Sequence, residues 1–570
     1  MKRLLHYMGS YKKESVLAPL FKMLEAILEL LVPLLVARMI DIGIPSGNTG
    51  YILRMAAYML LLAAIGLGVA ITAQYFAARA AVMTSDAIRR DLFSHIMTLS
   101  WSQVDSLGTS TLITRMTSDV NTVQNGINMF LRLFMRSPFV VFGALIMAFT
   151  VDPGSARIFA VVIPVLLVIT FLILLVTMPL YKAVQQQLDG ILQKTRENLL
   201  GVRVIRAFNR QEQEIRTFDS DSSGLCRRQV FVGRISALLN PLTYAVINLG
   251  IIALLWTGAV QVNAGILTQG KVIALINYMT QILVELVKLA NLIILLSRAA
   301  AGMKRIDSVF SIQNDRRDGT QDMPSVPNIV FDHVSFSYSH DAEDVLSDIS
   351  FQAEAGSTVG IIGGTGSGKS TLVNLLARFY DVRTGAIRIG GTDVRDIRTE
   401  ELRQKIGMVP QRAVLFKGTL RENMQWRDKS AGDEEIRKAL ATAQAEDFVS
   451  ARAEGLDMHI EQEGRNLSGG QRQRLTIARA LVGDPEILVL DDSASALDYA
   501  TDAALRRALR EEHGKRTVFM ISQRVSTIKS ADRILVLADG RLEGIGTHDE
   551  LLKTCEEYRG ICESQGEMTS

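Results

Sequence analysis

Cysteine is scarce, with three residues in a chain of 570. Cys226, Cys555 and Cys562 show no metal-ligand spacing and no even set for pairing. That excludes a disulfide framework and points to reduced thiols on the cytoplasmic side. Charge of one sign is lacking too. The net charge is +3 with 21% charged residues, so no strong field directs the chain to nucleic acid. The N-terminal stretch is basic but has no short apolar core followed by a small-residue cleavage site, so no cleaved signal peptide is expected. After about His548 no further motif follows, and that tail is expected to cap the preceding domain.

Apolar residues are abundant: 48% of the chain is hydrophobic. Mean hydropathy is +0.20, high for a soluble enzyme. The excess lies before about residue 300. Ile158–Val176 is almost continuously apolar and long enough to cross a bilayer as a helix. Further candidate spans are Val16–Gly43, Leu53–Ala78, Pro138–Thr150, Pro241–Val262 and Val272–Leu296, six in all. Basic residues cluster before the first span, between the second and third (Arg89 to Arg136), and between the fourth and fifth (Lys182 to Arg234). The other three connections carry only Arg54, Arg157 and Lys271. Both termini and two long loops are therefore expected in the cytoplasm. Ser85–Phe93 and Glu197–Ile205 have helical spacing, so the spanning helices are expected to continue well beyond the bilayer.

Some polar residues fall at membrane depth. Glu25 and Glu29 share a face of the first span, and Glu285 and Lys288 are spaced to pair on the sixth. Two readings stand: a polar wall in a substrate path, attracting cationic compounds, or carboxylates near the interface neutralised by Lys22 or water.

The most specific stretch is Gly363-Gly364-Thr365-Gly366-Ser367-Gly368-Lys369-Ser370-Thr371. It follows the apolar run Val359–Ile362, read as a buried strand, and precedes Leu372–Leu376, read as a helix. A glycine-rich turn that binds nothing is the alternative, and the flanking strand and helix argue against it. The glycines let backbone N–H groups converge on nucleotide phosphates, and the helix N-terminus adds partial positive charge. Lys369 would reach the terminal phosphates and the Ser370 hydroxyl would sit on Mg²⁺. The chain is expected to bind a nucleoside triphosphate.

Between Arg298 and about Pro327 charge, Gly and Pro replace apolar residues, as in a linker. From Asn328 to about Ile545 strands alternate with helices, the pattern of an α/β nucleotide-binding domain. Within it Ser468-Gly469-Gly470-Gln471 opens a helix and supplies a second anion site. Ile487–Leu490 reads as a buried strand ending in Asp491 and Asp492, with Asp491 placed to hold the Mg²⁺ shell.

Leu467–Gln471 matches the signature of ATP-binding cassette proteins, in the expected order after the phosphate loop. Nearly the whole chain resembles a bacterial ABC exporter half-transporter. That resemblance implies an α-helical six-span transmembrane domain followed by an α/β P-loop domain. The expected division is 1–305 for the membrane domain with its coupling extensions, 306–327 for a linker and 328–570 for the cassette. By family analogy two cassettes meet head to tail around two ATP molecules, each phosphate loop facing the other chain's signature. Tyr338 then matches the aromatic that stacks on adenine. Gln411 matches the glutamine that touches Mg²⁺ and communicates with the membrane domain. Ser495–Asp498 matches the loop crossing the dimer interface, and Trp101–Leu112 and Glu197–Phe208 match the coupling-helix regions.

Two residues depart from the family pattern where hydrolysis is decided. Asp492 stands where a glutamate positions the attacking water, and Gln523 stands where a histidine is usual. Asp is one methylene shorter, and roughly an ångström of misplacement costs on the order of 10²-fold in rate. Gln523 can hydrogen-bond a γ-phosphate but brings no positive charge. Glu461–Gly464 also departs from the usual pattern before the signature. The signature itself is intact. This combination resembles the degenerate-site subunit of heterodimeric bacterial multidrug exporters, partnered by a second chain with the catalytic glutamate. The expected function is ATP-driven export of hydrophobic or amphipathic compounds, drugs or lipids, across the cytoplasmic membrane. A homodimeric lipid or peptide exporter with slow hydrolysis at both sites is the alternative. From another class, an ATP-gated channel or membrane sensor remains, although no regulatory insertion is visible.

Overall fold

The apolar stretches fold as helices far longer than a bilayer requires. In the computed structural model, which describes residues 2–314, 317–339, 342–512 and 514–567, the chain forms two units. One comprises residues up to 98 and 108–312; the other comprises 99–107 and 313–570.

The first unit is all helix. Its longest members are Thr49–Thr98, Pro153–Leu200 and Gln269–Phe310, of 50, 48 and 42 residues. At 1.5 Å per residue the first extends about 75 Å, against a hydrocarbon core of about 30 Å. Ser85–Phe93 is simply the continuation of Thr49–Thr98. Pro153–Leu200 starts cleanly because the Asp152 side chain accepts from Ser155 N at 2.7 Å and Pro153 needs no N–H in the first turn. Gly201 ends it, and the short helix Val202–Ala207 follows. Tyr278, Phe159, Leu254 and Met279 are fully buried in the unit's largest apolar core.

The expected count of six spans is not matched by apolarity. Among the described residues five helical segments are long and apolar enough to cross a membrane, and Lys12–Arg38 is not one of them. Its 27 residues include Lys22, Glu25 and Glu29, which lower its apolar character. The helix Gln269–Phe310 runs on through residues 306–310.

Among its described residues the second unit carries three sheets, the smallest pairing Gly418–Thr419 with His459–Ile460. A six-stranded sheet has the order Arg541–Gly546, Arg533–Ala538, Thr358–Gly363, Thr517–Ile521, Ile487–Asp491, Ile406–Val409, with only the first pair antiparallel. Ile487–Asp491 and Thr517–Ile521 are buried at every position, as unbroken apolar runs in a parallel sheet should be. Ile329–Phe336 instead lies in an antiparallel four-stranded sheet with Leu346–Ala353, Thr384–Ile389 and Thr392–Asp393. The register decides where function can sit. Ile521 pairs with both Ile361 and Asp491, so three central strands end at one edge. The loops carrying Gly363–Gly368, Asp492 and Gln523 therefore leave the sheet side by side, where α/β sheets bind ligands.

Candidate nucleotide site

The loop after Thr358–Gly363 is built on glycines for two different reasons. A Cβ on Gly363 would lie 2.0 Å from Leu537 O, so only glycine fits against the neighbouring strand. Gly368 has φ +94° and precedes the helix Lys369–Leu376, a backbone that L side chains rarely adopt. Lys369 is buried within the loop it closes. Its Nζ donates to Gly363 O at 3.0 Å, Gly364 O at 2.5 Å and Ser367 Oγ at 3.3 Å. Burial lowers its pKa, and the charges of Asp491 and Asp492 oppose that shift.

Ser370 Oγ donates to Asp491 Oδ1 at 2.9 Å. Asp491 is 5% exposed, and burial, with the neighbouring Asp492 charge, raises its pKa against the opposing Ser370 and Lys369. Asp492 is held in the left-handed region at φ +47°, where its N–H donates to Ile521 O at 3.1 Å and its carbonyl accepts from Ser495 Oγ at 2.8 Å. Its pKa is raised by burial and opposed by Lys369, Arg524 and the Gln411 amide. Gly366, Gly368, Lys369, Ser370, Gln411, Asp491, Asp492 and Gln523 all line one cavity of about 270 Å³, with Thr365 and Thr371. A hydroxyl, a buried carboxylate short of a cation, and an amide oxygen form an all-oxygen donor set that fits a hard divalent cation.

The signature residues are not part of this cavity. Ser468 caps the helix Gly469–Leu481 reciprocally: its Oγ accepts from Gln471 N at 3.2 Å and its N–H donates to Gln471 Oε1 at 3.0 Å. Gly469 lines a separate cavity of about 380 Å³, which Gln411 also reaches. A Cβ on Gly470 would meet Ala496 O at 3.2 Å, tying the signature to the loop Ser495–Asp498. Just before it, Glu463 is left-handed at φ +60°. Tyr338 lies beyond its strand, 46% exposed, with its hydroxyl 2.9 Å from Thr371 Oγ1 and its ring edge-on to Tyr380.

Contacts that the sequence did not reveal complete the surroundings, two of them made by Trp101 and Asp105 in the stretch Trp101–Leu112 expected to carry a coupling helix. Tyr380 Oη donates to Asp105 Oδ2 at 2.6 Å, and Trp101 stacks on Phe379 at 4.6 Å. Gln565 brackets the Gln523 loop, accepting from Val525 N at 2.9 Å and donating to Gln523 O at 2.7 Å. Phe379, Tyr380 and Gln565 belong to no short motif, so spacing alone carried no signal for them.

Known proteins share both halves. Residues 15–286 match the ABC transporter transmembrane region and residues 346–495 match the ABC transporter cassette. An uncharacterised ABC transporter ATP-binding protein of Bacillus subtilis is 36% identical over 566 residues, covering 99% of this chain and 98% of its own. The chain belongs to the ABC transporter family. An ATP-dependent lipid A-core flippase of Desulfotalea psychrophila is 32% identical over 474 residues, 83% of this ABC transporter and 82% of the flippase. A solved bacterial Atm1-family ABC exporter with ATP bound has the same fold, with TM-score 0.78, 24% identity and coverage of 98% and 99% of the two chains. This ABC transporter is a half-transporter, one membrane region fused to one ATP-binding cassette.

Proposed function

We propose that this half-transporter is one subunit of a heterodimeric exporter in the cytoplasmic membrane. It moves hydrophobic or amphipathic compounds, drugs or lipids, outward through six spans, with Lys12–Arg38 as the first despite its charges. The observation that carries the reading is the meeting of Lys369, Ser370, Asp491, Asp492 and Gln523 on one cavity. Lys369 binds the terminal phosphates. Ser370, Asp491 and Gln411 would hold Mg²⁺, which when bound neutralises phosphate charge. Tyr338 stacks on adenine, and Ser468–Gln471 complete the partner's site in trans. Asp492 stops short of the attacking water, and Gln523 offers a hydrogen bond without charge. This site therefore holds its ATP, and the partner's site does most of the hydrolysis.

The lipid A-core flippase and the fatty acid ABC transporter of Mycobacterium bovis, 32% identical over 469 residues, support a lipid-like cargo. One observation favours a homodimer instead: Asp492 is a carboxylate of raised pKa lining the same cavity as Lys369, a competent if slow base. Incubation with labelled ATP followed by rapid removal of free nucleotide separates the two. Retained label that remains ATP supports a weak site; retained label converted to ADP supports the homodimer.

A further inference from the structure

In the membrane unit, three helices bring six charges together. Lys22, Glu25 and Glu29 come from Lys12–Arg38, Arg136 from Arg136–Val151, and Glu285 and Lys288 from Gln269–Phe310. Arg136 is buried, donating to Glu285 Oε1 at 2.8 Å and Glu29 Oε2 at 2.5 Å. Glu285, 3% exposed, also accepts from Ser137 Oγ at 2.8 Å and from Lys288 Nζ at 2.9 Å, so both its oxygens are filled. Lys22 takes Glu25 at 2.6 Å. This much is a closed structural cluster. Glu29 and Lys288 are different: their side chains stay 43% and 41% exposed and both line a cavity of about 430 Å³. Gln281 lines it as well, with its buried Oε1 lacking a partner. Val32, Val36, Val140 and Val284 supply an apolar wall.

We propose that this cavity is a headgroup subsite for a zwitterionic amphiphile, seating its ammonium on Glu29 and its anionic group on Lys288. The proposal rests on the transport reading above and names the cargo class. Three carboxylates meet three cations in the cluster, so it attracts neither sign overall. Its two open charges, one of each sign, favour a guest that is neutral in sum but carries separated charges. Gln281 Oε1 offers a further acceptor for the guest's donor, and the valines cover the start of its chain. The volume falls within the range of about 300–1,000 Å³ usual for small-molecule sites.

The test uses the full chain in phosphatidylglycerol nanodiscs, with bound fluorescent lysophosphatidylcholine displaced by one of three dodecyl competitors. Dodecylphosphocholine should compete at a concentration about tenfold lower than dodecyltrimethylammonium or dodecyl phosphate, as loss of one charged contact would produce. Glu29→Gln should erase the advantage over dodecyl phosphate, and Lys288→Gln the advantage over dodecyltrimethylammonium, with Lys288→Arg restoring it. Glu25→Gln, outside the cavity, should leave the ranking unchanged and controls for general damage to the cluster. Equal competition by all three, or rankings unmoved in both Gln variants, overturns the subsite while leaving amphiphile transport standing. Absence of saturable lysophosphatidylcholine binding to the native chain overturns both.

Discussion

The backbone N–H of Asp492 donates to Ile521 O at 3.1 Å, so the two departures from the family pattern are held by one strand edge. Gln523 lies two residues beyond Ile521, and both Asp492 and Gln523 line the cavity of Lys369. Their positions are fixed together, which is why they are best tested together.

The acid limb of whatever slow turnover this chain's own site retains should report Asp492. Burial raises its pKa above the usual carboxylate value of about 3.9, so protonation begins at a higher pH than for a free Asp. A base must be ionised, so turnover should fall as pH drops through that raised value. The same burial costs stability: the loss begins as pH rises past the unfolded value of about 3.9 and is complete above the raised value. Rate profiles of the native chain and of Asp492→Asn, which should lose the limb, check this.

Removing Arg136 should be severe. It stands between Glu29 and Glu285, and Arg136→Ala leaves Glu285 buried with Lys288 as its remaining counter-ion and Glu29 without its guanidinium partner. A loss of about 3–5 kcal/mol is expected. The double change Arg136→Met, Glu285→Met should cost less than Arg136→Ala alone. Thermal unfolding in detergent reads both.

Gln565 positions the Gln523 loop without facing the cavity. Gln565→Ala removes two hydrogen bonds to that backbone. We expect kcat to fall by up to roughly thirtyfold, from a loss of about 1 kcal/mol for each of the two bonds, with KM for ATP nearly unchanged. Equal changes in both would indicate general damage.

Trp101 and Phe379 stack with ring centroids 4.6 Å apart, and Arg403 lies over Phe379 at 5.2 Å. Trp101→Ala should forfeit about 0.5–1.5 kcal/mol of contact. Cargo-stimulated ATPase should drop several-fold while the affinity for a fluorescent ATP analogue stays within about twofold.

Much of this was legible because local chemistry dictates it. The strand, glycine loop and helix around Lys369 follow from an apolar run, closely spaced glycines and a hydroxyl, all visible in sequence. Arg136 was not legible. It reads as one more cytoplasmic charge between two spans, and only the packing of three helices brings it between Glu29 and Glu285. Lys22 does meet Glu25, but Glu29 is held by Arg136 instead. The Glu285–Lys288 pair, spaced one helical turn apart, is present at 2.9 Å. Gln565 escaped for the same reason as Arg136, since its partners lie 42 and 40 residues away.

The central claim is that Asp492 and Gln523 leave this chain's own site weak. The direct measurement is steady-state ATPase activity of the chain alone in lipid, beside the Asp492→Glu, Gln523→His double variant. The account predicts a nearly silent native chain and a gain of about 10²-fold in the variant. Brisk turnover by the native chain, unchanged in the variant, would contradict it.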